Sequence, residues 1–382
     1  MPDVREQVER LAPGRVQAVA QAALAEPGAA LVEWRAAPLK GSLDALDAAR
    51  SVFLFEGTAR IRAAERPWCA VLKVLAPAPG QHNHGHADYW RREQELYGSG
   101  MLESLPARLR APRCYGCDEL PSRSVWLWLE HVHDDAERPW RAERWAQVAR
   151  QFGRFNGAYL VGLPLPSAPA LGGRRLRTSL GRYRPLVAQI AAAPHNAAVA
   201  HWWPESVVAA ILRLWEERES FCAVLERLPQ TFCHGDAIAR NLLARRLARG
   251  ADELVAIDWE CAGYYAAGEE VGQTLSVAAA FYDIDPAGLP ALDEALFTSY
   301  LDGLRDTGWR GEPQQVRLAY VAHAALRNAF NAVGATGPSE AGRAGALQVY
   351  GHTWEELAER RAAVRPFLLT LAAEARGMLA DL

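Results

Sequence analysis

Two short polar motifs, each beside an apolar run, constrain the fold of this sequence more than any other feature. The first is the segment 231–241, which carries Asp236 and Asn241 in the order His-Gly-Asp-x-x-x-x-Asn. The second follows the apolar run 254–257 and begins with Asp258. Because short apolar runs bounded by polar residues are typical of buried strands, we expect Asp258 to lie at the tip of a strand. The spacing of Asp236 and Asn241 fits a tight loop, so both side chains can face one cavity.

The side chains in these motifs suit the transfer of a phosphoryl group. That reaction needs little covalent help from the protein and depends on the placement of charge around the phosphates. One carboxylate has to orient the acceptor hydroxyl and take its proton, while a carboxamide and a second carboxylate hold the metal ion that bridges the phosphates. Oxygen ligands suit Mg²⁺, which takes one or two protein carboxylates together with phosphate oxygens and water. The motifs therefore predict a phosphoryl-transfer site.

Every fixed position of the pattern H-G-D-x-x-x-x-N followed by I-D-[WF]-[ED] is present in this chain. The segment resembles the catalytic core of the aminoglycoside phosphotransferase and choline kinase-like family, whose members are relatives of the protein kinases. The resemblance implies that Asp236 is the catalytic base, that Asn241 and Asp258 are ligands of Mg²⁺, and that ATP is the phosphoryl donor. Family members usually carry His or Pro inside the loop, where this chain has Ala237 and Arg240, and this difference concerns the substrate side.

The resemblance also implies the fold class, which is α+β with two protein kinase-like lobes. We expect residues 1–130 to form a small nucleotide-binding lobe with an antiparallel sheet, one main helix and a leading helix. We expect residues 131–382 to form a larger, mostly helical lobe that carries the catalytic loop and the substrate site. Hydrophobic spacing predicts strands over 30–34, 51–61, 68–75 and 124–130. It predicts helices over 3–24, 88–97, 143–160, 205–227, 271–282, 289–305, 313–333 and 353–382.

Lys73 stands in the otherwise apolar run 68–75. A lysine inside a strand is costly unless it has a partner, although an edge-strand lysine that points to water is the alternative. In kinase folds the strand lysine contacts the nucleotide phosphates and pairs with a glutamate on the next helix. The predicted helix 88–97 offers Glu93 or Glu95, and the family resemblance favours Glu93.

The run 124–130 resembles the strand that enters the hinge between kinase lobes. By that resemblance, Leu129 and Glu130 lie where backbone groups contact the adenine, and the side chain of Glu130 need not touch it. Protein kinases cover the phosphates with a G-x-G-x-x-G loop, whereas the segment between the first two predicted strands has a single glycine. Gly41 and Ser42 are the predicted phosphate contacts there. The missing glycines argue against a protein kinase.

Composition excludes some classes of partner. A net charge of −3 argues against general nucleic-acid binding, which needs a concentrated basic face. Residues 1–6 lack the apolar stretch of a secretion signal, and no run approaches the roughly eighteen apolar residues of a membrane span. We therefore expect a cytoplasmic protein whose partner is a small molecule with a hydroxyl group, and neither a nucleic acid nor a membrane. The oligomeric state stays open.

Three further polar clusters admit two interpretations each. Cys114 and Cys117 could belong to a zinc site, but no second Cys pair or spaced His pair follows, so we expect a turn. The His-rich segment 82–86 lies among Pro and Gly residues and is predicted to be a solvated loop. A basic cluster after the Pro- and Gly-rich run 164–173 is also predicted to be a solvated loop, with a nucleic-acid site as the alternative. Its members are Arg174, Arg175, Arg177, Arg182 and Arg184.

The identity of the acceptor is open. A polycation such as an aminoglycoside needs an acidic pocket, while a choline-like cation or a sugar suits an aromatic one. Candidates for the acidic pocket are Asp283, Asp285, Asp293 and Glu294. Candidates for the aromatic pocket are Trp202, Trp203, Trp309 and Trp354. Side chains of these kinds are more often solvated helix ends or parts of the core.

The sequence therefore predicts a small-molecule kinase that transfers the γ-phosphoryl group of ATP to a hydroxyl of an antibiotic, a sugar or an amino alcohol. The alternative is a non-catalytic kinase-fold protein that binds a nucleotide or a metabolite. The presence of every metal and base residue argues against that alternative. His234 is expected to order the loop, and Glu270 is expected to be structural.

Overall fold

The computed structural model describes residues 4–39, 50–77, 80–120, 124–172, 175–246 and 252–380. Its strands are β1 Ala30–Pro38, β2 Arg50–Ile61, β3 Ala64–Leu75, β4 Leu109–Arg110, β5 Cys114–Glu119, β6 Val125–Glu130, β7 Gln230–Cys233, β8 Leu242–Arg246, β9 Asp252–Ala256 and β10 Gly263–Ala266. Its α-helices are α1 Val4–Glu9, α2 Pro13–Leu24, α3 Arg92–Gly98, α4 Ala142–Val161, α5 Arg175–Ala192, α6 Glu205–Leu225, α7 Glu269–Ala280, α8 Leu289–Asp306, α9 Pro313–Asn328, α10 Glu340–Tyr350 and α11 Trp354–Ala380.

The N-terminal part of the chain forms an antiparallel five-stranded sheet in the order β1-β2-β3-β6-β5. Successive side chains of a strand point to opposite faces. On β3, Ala70 and Leu72 therefore pack with Val16 and Val19 of α2, while the side chain of Lys73 points to the face that α3 covers. Because both faces are covered, β3 is apolar along most of its length, and Lys73 is buried.

The leading helix is interrupted. The prediction of one helix over 3–24 is wrong, because α1 ends at Glu9 and α2 begins at Pro13. Proline has no backbone N–H and pushes the preceding residue out of the helical region. Ala12 is accordingly extended, with φ −64° and ψ 127°.

The main helix of the N-terminal part is shorter than the predicted 88–97. It begins at Arg92, and residues 86–91 form turns in front of it. The buried guanidinium of Arg92 stabilises these turns, because it donates hydrogen bonds to the main-chain oxygens of His86 (2.8 Å) and Ala87 (2.6 Å). It also donates to the main-chain oxygen of Glu260 (2.7 Å), which connects α3 to the segment after β9.

Glycines bring α4 and α8 into close contact. A Cβ atom on Gly153 would lie 2.2 Å from the main-chain oxygen of Tyr300, and one on Gly303 would lie 2.1 Å from that of Arg150. Such separations exclude any side chain without movement of a backbone. Gly153 and Gly303 therefore allow the close approach of α4 and α8.

The basic cluster after residue 173 is helical, so the prediction of a solvated loop is wrong. It forms the start of α5, apart from Arg174, which lies outside the described residues. Arginine favours helices, and Leu176 and Leu180 of α5 enter the main core. Gly181 and Pro185 concealed this pattern, because both residues usually interrupt helices. The helix α10 was likewise not predicted.

Cys114 and Cys117 belong to strand β5, so the prediction of a turn is also wrong. The strand pairs with β6 and has an irregular register between Cys114 and Gly116. A glycine inside a strand often marks such a bulge, and the sequence alone does not separate a bulge from a turn. Within the described ranges, no group of three or more His, Cys, Asp or Glu side chains is placed to hold a metal ion, which leaves the zinc alternative without support.

Two small sheets place the two sequence motifs, which begin at His234 and Asp258, in one region. β7 pairs with β10 and ends directly before His234. β9 lies between β4 and β8 and ends shortly before Asp258, while β8 begins directly after Asn241. The strand ends therefore carry both motifs to neighbouring loops.

The fold is α+β, with an antiparallel sheet followed by a larger helical part, as the sequence predicts. The division at residue 130 stays a prediction. None of the helices in the described part of the chain has the length and apolarity needed to cross a membrane.

Candidate active site

The loop after β7 has a backbone that requires glycine. Gly235 has φ +76°, and a Cβ atom on it would lie 2.1 Å from the main-chain oxygen of Cys261. His234 orders the same loop: its Nε2 lies 2.9 Å from the main-chain oxygen of Ile257, and its Nδ1 lies 3.2 Å from the main-chain nitrogen of Asp236. Nε2 therefore carries the proton and Nδ1 accepts. Burial lowers the pKa of His234, so the ring is neutral and structural.

Asp236 and Asn241 are in direct contact. The amide nitrogen of Asn241 donates to Oδ2 of Asp236 (2.9 Å) and to its main-chain oxygen (3.1 Å). The side-chain amide of Gln273 donates to the other carboxylate oxygen, Oδ1. Two neutral donors therefore hold Asp236 in one orientation.

Asp258 follows β9 in a left-handed backbone conformation, with φ 67° and ψ 67°. A non-glycine residue rarely adopts this conformation, and such strain is often found at functional sites. The preceding residue, Ile257, donates its N–H to the main-chain oxygen of Asn241 (2.9 Å). The two motifs of the sequence are thereby joined backbone to backbone.

Lys73 lies between two carboxylates. Its Nζ is 2.6 Å from Oε2 of Glu93 and 2.6 Å from Oδ1 of Asp258. Burial alone would lower the pKa of Lys73, but the charges of Asp258 and Glu93 outweigh it and raise that pKa well above its usual value. Lys73 is therefore charged at neutral pH.

Glu93 also receives the main-chain N–H of Trp259 on its Oε1 (3.1 Å), directly after Asp258. The glutamate thus connects β3, α3 and the segment that begins with Asp258. The alternative partner, Glu95, accepts instead from the hydroxyl of Tyr89 (2.5 Å) on the outer side of the helix.

A cavity of about 540 Å³ connects five of these groups. Lys73, Glu93, Asp236, Asn241 and Asp258 line it. A volume of this size falls within the range of small-ligand sites, roughly 300–1,000 Å³.

One end of the cavity has apolar walls that include Val52, Val71 and Leu243, and it reaches the end of β6 at Leu129 and Glu130. The carboxylate of Glu130 turns towards Arg110 (2.5 Å) and the main-chain N–H of Arg113 (3.1 Å). Residues 131 and 132 continue the lining with no helix or strand of their own. The predicted phosphate contacts Gly41 and Ser42 lie outside the described residues.

The other end of the cavity contains residues that the sequence did not indicate. Val277 and Phe281 line it, and Gln273 reaches Asp236 on the same side. The three are spaced by four residues along α7 and its C-terminal end, a pattern that marks one face of a helix and was available in the sequence. Arg175 and Arg327 line the same end, and no sequence signal distinguished them from surface arginines.

The donor set beside Lys73 fits a hard divalent cation. Asn241 and Asp258 bring an amide oxygen and a carboxylate to one cavity, and Asp236 adds a second carboxylate. Mg²⁺ prefers such oxygen ligands, whereas zinc prefers sulfur and imidazole nitrogen. The nearby imidazole, His234, already uses both ring nitrogens within the loop.

Comparison with known proteins agrees with this geometry. The model of the phosphotransferase enzyme family matches residues 70–313. The structure is similar to that of the amicoumacin kinase hAmiN in complex with AMP-PNP, Ca²⁺ and Ami, with 13% identity, a TM-score of 0.50, and coverage of 95% of this chain and 96% of that one.

It is also similar to choline kinase from Cryptosporidium parvum Iowa II, with 12% identity, a TM-score of 0.51 and coverage of 91% of each chain. At such identities the likeness shows the fold alone, which is the two-lobed kinase-like fold. No curated protein matches the sequence.

Proposed function

Because the chain belongs to the phosphotransferase enzyme family and is an ATP-dependent phosphotransferase that acts on an alcohol group, we propose that its acceptor is a small molecule bound beside Asp236. One observation carries this proposal. Lys73, Asp236, Asn241 and Asp258 come from three separate segments and line a single cavity of about 540 Å³. Phosphoryl transfer needs that set of charges around one phosphate group.

Lys73 would bind the phosphates of the nucleotide. Its charge is maintained by Glu93, which is itself held by the N–H of Trp259. The glutamate has two further effects, since it keeps the lysine on the cavity side of β3 and ties that strand to Asp258. In this arrangement a phosphate oxygen can replace one of the two carboxylate contacts of Lys73 without leaving the lysine unpaired.

Asn241 and Asp258 would hold Mg²⁺. When bound, the ion neutralises charge on the β- and γ-phosphates and orients them. Asn241 commits its amide nitrogen to Asp236, so its amide oxygen is the atom for a cation. The backbone hydrogen bond from the N–H of Ile257 to the main-chain oxygen of Asn241 holds the two ligands close to each other.

Asp236 would accept the proton of the acceptor hydroxyl. Asn241 and Gln273 each donate to one of its oxygens. Each carboxylate oxygen can accept more than one hydrogen bond, so the hydroxyl can still approach. The two donors fix the orientation of the carboxylate. The acceptor must therefore approach it from the end of the cavity that Val277 and Phe281 line.

The adenine would lie at the opposite end, between Val52, Val71 and Leu243. Apolar walls with one or two backbone hydrogen bonds are typical of such a site. We propose that the backbone at the end of β6, around Leu129 and Glu130, supplies those bonds. The N–H of Glu130 already donates to the main-chain oxygen of Arg113 (2.8 Å) and its carboxylate contacts Arg110, so other main-chain groups of this segment would contact the adenine.

The test is ADP release by the purified full chain with ATP and Mg²⁺, first without an acceptor, since an intact site transfers some phosphoryl groups to water. Asp236→Ala should abolish release and keep the affinity for AMP-PNP within about twofold, because Asp236 acts on the acceptor side. Asp258→Ala should weaken AMP-PNP binding in Mg²⁺ by about tenfold or more, as loss of a charge-assisted contact predicts. Asp302→Asn, on the exposed side of α8, is the matched control.

Binding of AMP-PNP without any release above the level of Asp236→Ala would identify a non-catalytic nucleotide-binding protein. Release that is unaffected by both aspartate variants would show that these residues do not form the site.

A further inference from the structure

We propose that the acceptor carries an anionic group, a carboxylate or a phosphate, in addition to its hydroxyl. The inference rests on the proposed function and concerns the end of the cavity beyond Asp236. Three arginines line that end: Arg175 at the start of α5, Arg240 in the catalytic loop and Arg327 near the end of α9. They come from three elements that are distant in sequence, so the fold itself assembles the positive region.

Arg240 is held with its guanidinium against an aromatic wall. Its Cζ lies 4.3 Å from the centroid of the Phe281 ring, and both residues line the cavity. Stacking on an aromatic face leaves the N–H edge of a guanidinium available to a ligand. Arg240 follows Asp236 in the same loop, so an anion bound there lies close to the base.

Arg175 is the most enclosed of the three. One of its terminal nitrogens donates to the sulfur of Cys261, and its buried Nε has no hydrogen-bond partner in the described part of the chain. A buried N–H without a partner is costly, and a ligand oxygen would relieve that cost. Asp236 and Glu260 lie within electrostatic range of Arg175.

Arg327 is placed by Tyr183. The tyrosine hydroxyl donates to the main-chain oxygen of Arg327 (2.8 Å), and Nη1 of the arginine lies 3.4 Å from that hydroxyl. Over the described ranges, no ion pair within 4 Å joins Arg175, Arg240 or Arg327 to a carboxylate.

The carboxylates at this end are fewer than the arginines. Asp236 and Glu260 line it, whereas Glu93 and Asp258 both contact Lys73, whose single charge offsets one of theirs. Asp283 lies within electrostatic range of Arg240, and burial raises the pKa of Asp283 to about 6, but Asp283 does not line the cavity. Three arginines therefore face two carboxylates, one of which is the base itself.

The acidic candidates for a polycation site lie elsewhere. Asp285 accepts the N–H of Ala287 at a turn (2.9 Å), and Asp293 pairs with Arg317 (2.7 Å). Together with Asp283 and Glu294, they are described residues that do not line the cavity. A polycationic acceptor would have to approach the three arginines with only Asp236 and Glu260 as acids beside them.

The tryptophan candidates for a choline-like cation are also outside the cavity. Trp203 is buried beneath the guanidinium of Arg365, whose Cζ lies 3.4 Å from the centroid of the Trp203 ring. Trp202 packs edge-on against Trp354, with centroids 5.4 Å apart. The aromatic wall that does line the cavity, Phe281, already has a cation stacked on it.

Arginines recognise carboxylates and phosphates through paired hydrogen bonds, and the geometry does not separate the two anions. The first measurement is binding to the full chain saturated with Mg²⁺ and AMP-PNP, so that nucleotide contacts are already made. The probes are matched sets: glycerate and glycerol 3-phosphate against glycerol, gluconate against sorbitol, and the cations kanamycin and choline. ADP release with ATP is measured on the same compounds.

We expect at least one anionic probe to bind at least tenfold more tightly than its neutral partner and to increase ADP release. A preference for glycerate or gluconate identifies a carboxylate, and one for glycerol 3-phosphate identifies a phosphate. Binding of kanamycin or choline in preference to the anions, or equal binding of anionic and neutral partners, overturns the inference while leaving the phosphotransferase reaction intact. Failure of AMP-PNP to bind would overturn the proposed function as well.

The second measurement uses Arg240→Gln and Arg327→Gln, with Arg310→Gln as an exposed control whose guanidinium reaches only the neighbouring main chain. Loss of a charged hydrogen bond should raise the KM or Kd of the anionic probe by roughly tenfold to one-hundredfold. The Kd of AMP-PNP should change less than about twofold. If the arginine variants weaken AMP-PNP instead, the arginines serve the nucleotide and the inference is wrong.

Discussion

The side-chain amide of Gln273 donates a hydrogen bond to Oδ1 of Asp236. This contact brings α7 against the catalytic loop, and Thr274 strengthens the same junction through a hydrogen bond to the main-chain oxygen of Ala237 (2.5 Å). Gln273 is therefore a positioning residue. It sets the orientation of the proposed base and supplies a neutral donor in place of a second carboxylate.

Gln273→Glu should lower kcat because it places a like charge beside Asp236. Two carboxylates in contact raise the pKa of one of them, so the base would be partly protonated at neutral pH. We expect kcat at pH 7 to fall by about tenfold or more and to recover partly as the pH rises. Gln273→Ala removes the donor without adding charge and should show no such recovery. A flat pH profile for Gln273→Glu would mean that Gln273 does not act through Asp236.

Lys73→Met should reduce both activity and stability. Loss of a phosphate-binding charge should lower kcat by about one-hundredfold to one-thousandfold, as for other preorganised donors. Glu93 would then be buried without a counter-charge, which costs about 3–5 kcal/mol of the free energy of unfolding. Steady-state kinetics and urea unfolding measure the two effects.

The double variant Lys73→Met with Glu93→Leu separates these roles. Replacement of a whole buried pair by apolar side chains often restores stability, so the free energy of unfolding should return towards that of the native chain. The activity should stay low. Recovery of activity in the double variant would exclude a role for Lys73 at the phosphates.

The parts of the site that the sequence predicted are those whose signals are local. Asp236 and Asn241 share one loop, Asp258 follows a buried strand, and Lys73 interrupts an apolar one. A buried charge in an apolar run needs a partner wherever the rest of the chain lies. These residues could therefore be chosen without knowledge of the tertiary structure, and the structure brings all four to one cavity.

The acceptor end could not be predicted in the same way. Arg175 and Arg327 are indistinguishable from surface arginines until α5 and α9 pack against the loop. The Pro- and Gly-rich run before α5 concealed that helix. In the leading segment, hydrophobic spacing predicts one continuous helix, but the proline after Ala12 separates it into two. Pro13 outweighed the periodicity around it, whereas α5 forms in spite of Gly181 and Pro185.

Gly303→Ala should destabilise the helical part of the fold. The new Cβ would lie 2.1 Å from the main-chain oxygen of Arg150, so α4 and α8 would have to separate. Forced overpacking of this kind typically costs about 1–3 kcal/mol. Urea unfolding measures the loss.

Gly377→Ala is the matched control, because Gly377 is an exposed position inside α11 with no atom near its added Cβ. Alanine favours helices over glycine by up to about 1 kcal/mol, so this variant should be more stable than the native chain. Equal effects of the two substitutions would show that close contact between α4 and α8 is not what Gly303 provides.

Glu270 should make the stability depend on pH. The carboxylate is buried, and it accepts hydrogen bonds from the N–H of Gly235 (2.9 Å) and from the amide of Asn156 (3.1 Å). Burial raises the pKa of Glu270 from 4.5 to about 7, although these hydrogen bonds oppose the shift. A pKa that is higher in the folded state means that the folded chain binds the proton more tightly than the unfolded chain.

The contribution of Glu270 to stability is therefore greatest at acidic pH and is lost as the pH rises from about 4.5 to about 7. A shift of this size corresponds to about 3 kcal/mol. Glu270→Gln removes the titrating group. The difference in unfolding free energy between the native chain and the variant should therefore change by up to that amount between pH 5 and pH 8. The native chain is the one that loses stability as the pH rises. Urea unfolding at several pH values measures it, and the exposed Glu294→Gln on α8 serves as the control because it should give a constant difference. A constant difference for Glu270→Gln as well would mean that Glu270 is already ionised throughout this range and holds Gly235 purely as a carboxylate.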